Sequence, residues 1–183
     1  MPLCRRFFHI TMLVTESQKL LVLMDFPEEP TTPAGPCVVL KELASALGIQ
    51  PNVIVDVKQA TTYLLVHVTS AGFTTLEPDF VQLAKYDAVT AEAPADNALD
   101  VDIQSRFFAP HGRVGEDPVT GSAHCAFGPY WAPLLEKTTV KAQQFTPIRG
   151  GYITLYLVAA GPGRVLLKGE GVIVLRGQLS SSP

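Results

Sequence analysis

The chain has 183 residues, of which 47% are apolar and 17% are charged, and its formal net charge is −3. This length suits one domain or two small ones, and the apolar fraction excludes an intrinsically disordered chain. A net negative charge offers no cationic surface to a phosphate backbone, so we expect no nucleic acid as a partner.

The cysteines and the apolar runs predict a protein of a reducing compartment. Cys4, Cys37 and Cys125 contain no C-x-x-C pair and are too few for a disulfide framework. The apolar run at residues 20–24 is among the longest in the chain, whereas a membrane-spanning helix needs about 20 apolar residues. We therefore predict a cytoplasmic protein without a membrane partner.

Alternating and β-branched residues predict strands in both halves of the chain. In the first half, the predicted strands are residues 6–14, 19–26, 53–57, 63–68 and 88–91. In the second half, they are residues 100–108, 139–144, 152–159, 164–168 and 172–176. Short glycine turns separate the last three, which predicts a terminal meander.

Three segments have the apolar spacing of helices. Residues 38–47 end at Gly48, a residue type typical of helix C-termini, and residues 78–86 begin with a proline. Residues 121–136 contain Gly128-Pro129, so this helix must kink or break there. Many short strands with few helices predict an α+β fold and not a parallel βαβ sheet.

Two stretches rich in proline or polar residues are predicted surface loops. They are residues 26–36 and residues 92–99. The second is the best internal boundary, so we divide the chain into residues 1–93 and residues 94–183. The second part contains the segment whose residues predict a functional site.

That segment is Gly115-Glu-Asp-Pro-Val-Thr-Gly-Ser-Ala-His124. A helix start has unpaired N–H groups and a partial positive charge, so it is a natural receptor for a carboxylate. Gly121 would let a ligand approach the backbone, and Thr120 or Ser122 would cap the helix or donate a hydrogen bond to the ligand. The order of these residues predicts an anion site next to an acid.

Glu116 and Asp117 are adjacent, so we expect only one of them to face this site, and the spacing does not decide which. A carboxyl group beside a bound carboxylate can exchange protons near neutral pH. The alternative interpretation is a solvated turn followed by an ordinary helix cap.

Other polar and aromatic residues predict no second site. His111, His124 and Cys125 lack an i, i+4 histidine pair or a C-x-x-C pair, so we predict no metal site. We interpret His67 as a sheet residue and Arg149-Gly-Gly151 as a tight turn. Three aromatic residues have helical spacing and are predicted to pack in the core: Phe127, Tyr130 and Trp131.

A set of short motifs in residues 100–179 resembles the PhzF-type phenazine-biosynthesis-like proteins. The motifs are Arg106-Phe-Phe-Ala-Pro110, Glu116-Asp-Pro-Val-Thr-Gly-Ser-Ala-His124, Pro129-Tyr-Trp131, Gln143 or Gln144, and Arg149-Gly-Gly151. The most specific part is the stretch from Asp117 to Ser122 with the later Arg-Gly-Gly. Upstream, Met24-Asp-Phe-Pro27 is similar to the family's Leu-Asp-Phe-Pro strand.

The resemblance implies the diaminopimelate-epimerase-like fold, in which two α+β halves, each a curled sheet around a central helix, enclose a substrate cleft. It also implies cofactor-free isomerisation by proton transfer on a small carboxylate-bearing molecule. On this pattern Asp117, Gly121 and Ser122 help to hold and polarise the substrate. We take Asp117 as the candidate catalytic residue and Thr120, Gly121 and Ser122 as the candidate substrate-binding residues.

The first-half segments of the family are not intact in this sequence. Pro2-Leu3-Cys4 is similar to the start of the family's Pro-Leu-Cys-Gly-His-Ala-Thr segment, but Arg5-Arg6 follows it, and the Asn-Leu-Ser-Glu segment with the catalytic glutamate has no counterpart. We therefore expect a truncated family member that is at best a very poor isomerase. The alternatives are a non-catalytic homologue that binds a ligand or a protein, and a domain that forms homodimers through uncovered sheet edges.

Overall fold

The computed structural model describes residues 9–14, 20–96, 100–157 and 161–174. One sheet of eleven strands runs through these segments. The strands are β1 (His9–Val14), β2 (Leu20–Pro27), β3 (Thr32–Pro33), β4 (Ile54–Gln59), β5 (Leu64–Val68), β6 (Val89–Pro94), β7 (Ile103–Ala109), β8 (Gly115–Asp117), β9 (Thr139–Phe145), β10 (Gly150–Tyr156) and β11 (Arg164–Gly171). The helices are α1 (Leu40–Leu47), α2 (Ser70–Thr74), α3 (Phe80–Leu83) and α4 (Gly121–Leu135), with a 3₁₀ turn at Pro51–Val53.

The strands follow the order β1-β2-β11-β10-β9-β7-β6-β5-β4-β3, and β8 pairs with β7. Neighbouring strands are antiparallel except for two parallel pairs, β5 with β6 and β7 with β9. Parallel neighbours require a crossover connection, and helices α2 to α4 lie in these two crossovers. The architecture is thus a mixed sheet with few helices, which agrees with the predicted α+β class.

The sheet buries apolar side chains on both faces. Along β7, Ile103 and Phe107 pack in the cluster that contains Phe127 and Trp131 of α4. The intervening Phe108 packs on the other face, in the cluster of α1. Helix α4 therefore lies alone on one face of the sheet among the described elements, and the three shorter helices cover the other face.

Helix α1 matches its prediction closely because its local signals agree with its packing. Leu43 and Leu47 are fully buried, and the helix ends at Gly48 in a left-handed conformation with φ 69°. A Cβ at Gly48 would lie 2.2 Å from the carbonyl oxygen of Glu77, so this position requires glycine. None of the helices in the described residues is long and apolar enough to cross a membrane.

The prediction for α4 was a kink or a break at Gly128-Pro129. The helix continues through both of its prolines, so the break is wrong. Pro129 has no N–H group to donate to the carbonyl of Cys125 four residues earlier. The backbone N–H of Glu29 donates to that carbonyl instead, at 3.1 Å. A contact from a distant loop thus replaces the hydrogen bond that the proline removes.

The loop predicted at residues 92–99 begins later than expected. Residues up to Pro94 belong to β6, and Glu92 is fully buried. Because β6 lies between β5 and β7, its residues up to Pro94 have a partner in β7, where Pro94 pairs with Ile103. The division between residues 93 and 94 therefore falls within a paired strand. The other predicted loop, residues 26–36, includes the end of β2 and the short β3.

The bounds of several predicted helices and strands differ from those in the structure. The helix predicted at residues 78–86 is reduced to α3. Residues 172–174 form no strand, and the last pair of β11 with β2 among the described residues is Gly171 with Leu20. The remainder of that predicted strand, residues 175–176, lies outside the described residues, as do residues 6–8, 19 and 158–159 of other predicted strands. Helix α2 and strands β3 and β8 were not predicted.

A buried carboxyl group lies between the sheet and α4. The Glu92 carboxyl accepts hydrogen bonds from the Trp131 indole N–H at 2.5 Å and from the Thr90 hydroxyl at 3.5 Å. Burial raises the pKa of Glu92 well above its usual 4.5, and the two hydrogen bonds oppose this shift only in part. The His67 ring packs on Trp131 with 4.4 Å between ring centroids.

We predict that Glu92→Gln removes a pH-dependent part of the free energy of unfolding. Since the folded pKa of Glu92 lies above its unfolded value, the group stabilises the native state fully below pH 4.5, and this contribution is lost as the pH rises through the folded pKa. The native chain should therefore lose stability relative to Glu92→Gln as the pH rises from 4.5 through the raised pKa of the folded state, as measured by urea denaturation.

The native chain and Glu92→Gln share every other titrating group. The difference between their free energies of unfolding therefore reports on Glu92. His124 contributes in the opposite direction, because burial lowers its pKa to about 4. Glu77→Gln, at an exposed position, serves as the matched control. Parallel pH profiles for the native chain and Glu92→Gln would contradict the prediction.

Candidate active site

Strand β8 separates the two adjacent acids onto opposite faces of the sheet. Glu116 pairs with Phe108 in the register and forms an ion pair with Arg106, with N–O distances of 2.7 and 3.0 Å. Both side chains are about nine-tenths buried, so the Glu116 carboxylate is held in a structural ion pair with Arg106. Asp117 pairs with Phe107, whose side chain packs on the α4 face. Asp117 is therefore the acid that faces the helix.

The Asp117 carboxylate is bound at the start of α4. The Thr120 hydroxyl donates a hydrogen bond to Asp117 Oδ2 at 2.5 Å. Thr120 occupies the N-cap position of α4, but its side chain makes no capping hydrogen bond to the helix. An ordinary Thr120 cap, the alternative interpretation of this segment, is therefore wrong.

The first turn of α4 keeps free hydrogen-bond donors. Within the described residues, the N–H groups of Gly121, Ser122 and Ala123 have no acceptor. A Cβ built on Gly121 would meet nothing within 4 Å, and this residue has no positive φ. Neither packing nor backbone conformation requires a glycine at this position. The open space next to free N–H groups is what a bound anion would need.

Gln144 of β9 holds the turn between β8 and α4. Its side chain is fully buried, and its amide oxygen accepts a hydrogen bond from the Thr120 N–H at 2.9 Å. The amide nitrogen donates to the Asp117 carbonyl at 2.7 Å and to the Thr120 hydroxyl at 3.1 Å. The sequence pointed to Gln143 or Gln144 without a role, and the structure places Gln144 in direct contact with the predicted site.

The Arg149-Gly-Gly151 motif supports the same turn. It closes the β9–β10 hairpin, where the Thr146 N–H donates to the Arg149 carbonyl at 2.7 Å, which confirms the predicted tight turn. A Cβ at Gly150 would lie 2.3 Å from the Gln144 carbonyl oxygen, and one at Gly151 would lie 2.9 Å from Val119. The two glycines therefore allow β10 to approach both Gln144 and the residue before Thr120.

Ser122 is exposed and lines a cavity of about 400 Å³. The wall also includes the thiol-bearing Cys125 and two acids that sequence analysis did not place in the site, Glu28 and Glu29. Asp117, Thr120 and Gly121 are not part of this wall, so among the described residues this cavity contains only Ser122 of the predicted site residues. Asp117 and Thr120 lie at the helix start, and Ser122 faces the cavity beside it.

Glu29 is held in the cavity wall by two hydrogen bonds. Its N–H donates to the Cys125 carbonyl at 3.1 Å, and its carboxylate accepts from the Thr61 N–H at 2.8 Å. Burial and the nearby Glu29 charge raise the pKa of the Cys125 thiol to about 12. The sequence signal for this contact was Pro129, because a proline inside a helix leaves one carbonyl without its usual donor.

The candidate metal ligands do not come together in the described residues. His111 is exposed, whereas His124 is fully buried in α4. The His124 Nδ1 donates to the Thr120 carbonyl at 2.8 Å. Among the described residues, no group of three His, Cys, Asp or Glu side chains is arranged to hold a metal ion.

Comparison with known proteins now gives the family. The family model described as phenazine biosynthesis-like protein matches residues 9–177. The chain belongs to the PhzC/PhzF family. An uncharacterized isomerase of Pseudomonas aeruginosa is 40% identical over 166 residues, which cover 88% of this chain and 58% of the relative. Phenazine biosynthesis-like domain-containing protein 1 of Mus musculus is 30% identical over 179 residues, and the match covers 87% of this chain and 59% of that protein.

Solved structures agree with this family and its fold. A PhzF-family protein of Enterococcus faecalis is 28% identical, with a TM-score of 0.65, and the match covers 90% of this chain and 65% of that protein. A PhzF-family protein of Bacillus anthracis, at 18% identity and a TM-score of 0.72, shows the same fold. This family member therefore spans somewhat less than two thirds of the length of each of these four proteins.

We predict that Gly121→Ala separates ligand binding from stability in this family member. Because the added Cβ meets no atom within 4 Å, the substitution should leave the free energy of unfolding unchanged or raise it by about 0.5 kcal/mol. It should weaken any anion bound at the first turn of α4. Urea denaturation and an NMR titration of the same protein sample measure the two effects. A loss of stability with unchanged anion binding would contradict the prediction.

Proposed function

We propose that this PhzF-family chain is an isomerase-family protein that binds a small carboxylate-bearing molecule at the start of α4 and exchanges a proton with it. Asp117 is the proposed proton-transferring group, and Thr120, Gly121 and Ser122 are the proposed binding residues. The observation that carries the proposal is the set of three free N–H groups beside a carboxylate that is fixed by a hydrogen bond.

The chemistry assigned to each group follows from its environment. The substrate carboxylate would accept hydrogen bonds from the first N–H groups of α4, where the helix dipole favours negative charge. The same donors would stabilise the negative charge that develops when a neighbouring C–H bond loses its proton. Asp117 Oδ1, which has no hydrogen-bond partner in the described residues, would take or return that proton. This chemistry requires no metal or organic cofactor.

We further propose that residues 1–183 on their own turn over slowly. Removal of a carbon-bound proton needs a base within about 3 Å, and the family resemblance assigns that role to a glutamate in an Asn-Leu-Ser-Glu segment that these residues do not contain. The relatives named isomerases are longer than the matched region. Loss of a general base typically lowers the rate by about 10²- to 10⁴-fold.

Binding without turnover is the second candidate function. It is favoured by one observation: Ser122 lines the cavity of about 400 Å³, whereas Asp117 does not. A ligand that fills this cavity would lie beside Ser122 and Glu29 and away from Asp117. Such a protein would hold a small molecule without moving a proton.

We predict that 2-aminobenzoate, a small aromatic carboxylate, shifts the NMR resonances of the Gly121, Ser122 and Ala123 amides on titration. Ser122→Ala should weaken its affinity about fivefold, equivalent to ~1 kcal/mol, the typical net contribution of one hydrogen bond. Ser70→Ala, at the start of the short helix α2, is the matched control and should leave the affinity unchanged. Shifts confined to residues remote from α4 would mean that the ligand binds elsewhere.

Proton transfer is tested by deuterium incorporation from D₂O into a dihydro-hydroxyanthranilate-type substrate. We expect slow incorporation by the native chain and its loss in Asp117→Asn. A fusion that supplies the first half of a relative should be more than tenfold faster, because it restores the opposing base. A native chain within tenfold of the fusion would contradict the proposed weakness, and binding without incorporation by either protein would favour the second candidate.

A further inference from the structure

Gln144 is the one fully buried side chain of the described residues that is hydrogen-bonded to both Asp117 and Thr120. It lies on the α4 face of β9, where its neighbours Val140 and Ala142 on the same strand belong to the apolar cluster around α4. An apolar side chain could pack in this cluster, but it would leave the Thr120 N–H and the Asp117 carbonyl without the hydrogen-bond partners that Gln144 supplies. The presence of an amide here therefore needs a reason other than packing.

The donors and acceptors of Gln144 determine which group donates in each of these hydrogen bonds. A glutamine amide has two N–H donors, and here one bonds to the Asp117 carbonyl and the other to the Thr120 hydroxyl oxygen. The Thr120 hydroxyl has one proton, and because its oxygen accepts from Gln144, that proton is available to Asp117 Oδ2. The chain of donors therefore runs from Gln144 through Thr120 to the carboxylate.

This direction determines which oxygen of Asp117 is available. Oδ2 is occupied by Thr120, and Oδ1 has no partner among the described residues. The tether also keeps the carboxylate from turning toward the free N–H groups of Gly121 and Ser122. A carboxylate next to a helix start otherwise tends to bond to those groups itself.

We propose that Gln144 is a positioning residue: acting through the Thr120 hydroxyl, it presents Oδ1 of Asp117 to the ligand and keeps the first N–H groups of α4 free for the ligand carboxylate. This inference rests on the proposed function and names a residue to which the sequence gave no role. The Gly150 contact belongs to the same unit, because any side chain there would displace the backbone of Gln144.

The test compares Gln144→Glu with Gln143→Glu. Both add one carboxyl group to β9, but Gln143 lies on the other face and bonds to Gln104 and Tyr152. In Gln144→Glu the two N–H donors are lost, and the Thr120 hydroxyl can turn to the new carboxyl group. We expect the Asp117 carboxylate to be released and to bond to the Gly121 and Ser122 N–H groups, which moves both amide proton resonances downfield without any ligand.

Affinity for 2-aminobenzoate should then fall about tenfold in Gln144→Glu and by less than twofold in Gln143→Glu. Thr120→Val removes the intermediate hydroxyl and should show the same downfield shifts, while Thr120→Ser retains the hydroxyl and should leave both amide resonances unshifted. In a Thr120→Val background, Gln144→Glu should cause little further loss, because both changes break one chain of hydrogen bonds. A role in packing alone would lower stability but would not produce the amide shifts or the rescue by serine.

Unshifted Gly121 and Ser122 amides in both Gln144→Glu and Thr120→Val would overturn the proposal, as would losses that multiply in the double variant. If Gln144→Glu does not fold, Thr120→Val with Thr120→Ser decides the question, because neither alters the buried amide. The amide shifts are measured without ligand. They therefore test the positioning role even if 2-aminobenzoate fails to bind the native chain, a result that would overturn only the proposed binding function.

Discussion

One edge of β7 determines the position of the candidate site. Residues Ile103 to Ser105 on this edge pair with β9 in parallel, and residues Phe107 to Ala109 pair with β8 in antiparallel. Strands β8 and β9 therefore lie end to end along the same edge. Because Ser105 pairs with Gln144 and Phe107 pairs with Asp117, the end of one strand meets the end of the other, and the turn that leads into α4 starts at that junction.

The same register places polar groups beneath α4, and they differ in how well they are satisfied. Five polar side chains of the described residues are fully buried: Thr90, Glu92, Ser105, His124 and Gln144. Gln144 uses all of its amide groups and Glu92 has two donors. Ser105 Oγ and His124 Nε2 have no hydrogen-bond partner within the described part of the chain. An unpaired buried polar group costs about 1–3 kcal/mol. These unpaired polar groups therefore lower the stability of the interface between the sheet and α4, on which the site is built.

Local patterns in the sequence were sufficient for the elements whose packing agrees with them. Gly48 marks the end of α1, and β9, β10 and β11 alternate between buried and more exposed residues as expected. The last turn of the predicted meander was wrong, because Gly169 and Gly171 lie within β11 and residues 172–174 form no strand. The acid, the turn and the small residues before α4 are also readable in order. The family resemblance added roles for Asp117, Gly121 and Ser122, which the structure does not test directly.

The remaining features depend on contacts between residues far apart in the chain, which local patterns do not contain. The choice between Glu116 and Asp117 follows from Arg106 on the neighbouring strand, and β8 is too short to be recognised without that partner. Thr120 appeared to be a cap because its residue type and position suit one, but Gln144 directs its hydroxyl to Asp117. A pattern of residue types identifies which groups are able to bond, and only the register of the sheet selects the partner.

Pro129 shows how such a distant contact can also shape the cavity next to the site. Its missing N–H leaves the Cys125 carbonyl free, and the Glu29 N–H takes that acceptor. The bond holds the segment after β2 against the first half of α4, which puts Glu28 and Glu29 in the wall that Ser122 lines. A helix without this proline would satisfy the Cys125 carbonyl internally, and the loop would lose one of the hydrogen bonds that hold it. The proline that local rules treat as a helix breaker therefore joins the two parts of the chain that enclose the cavity.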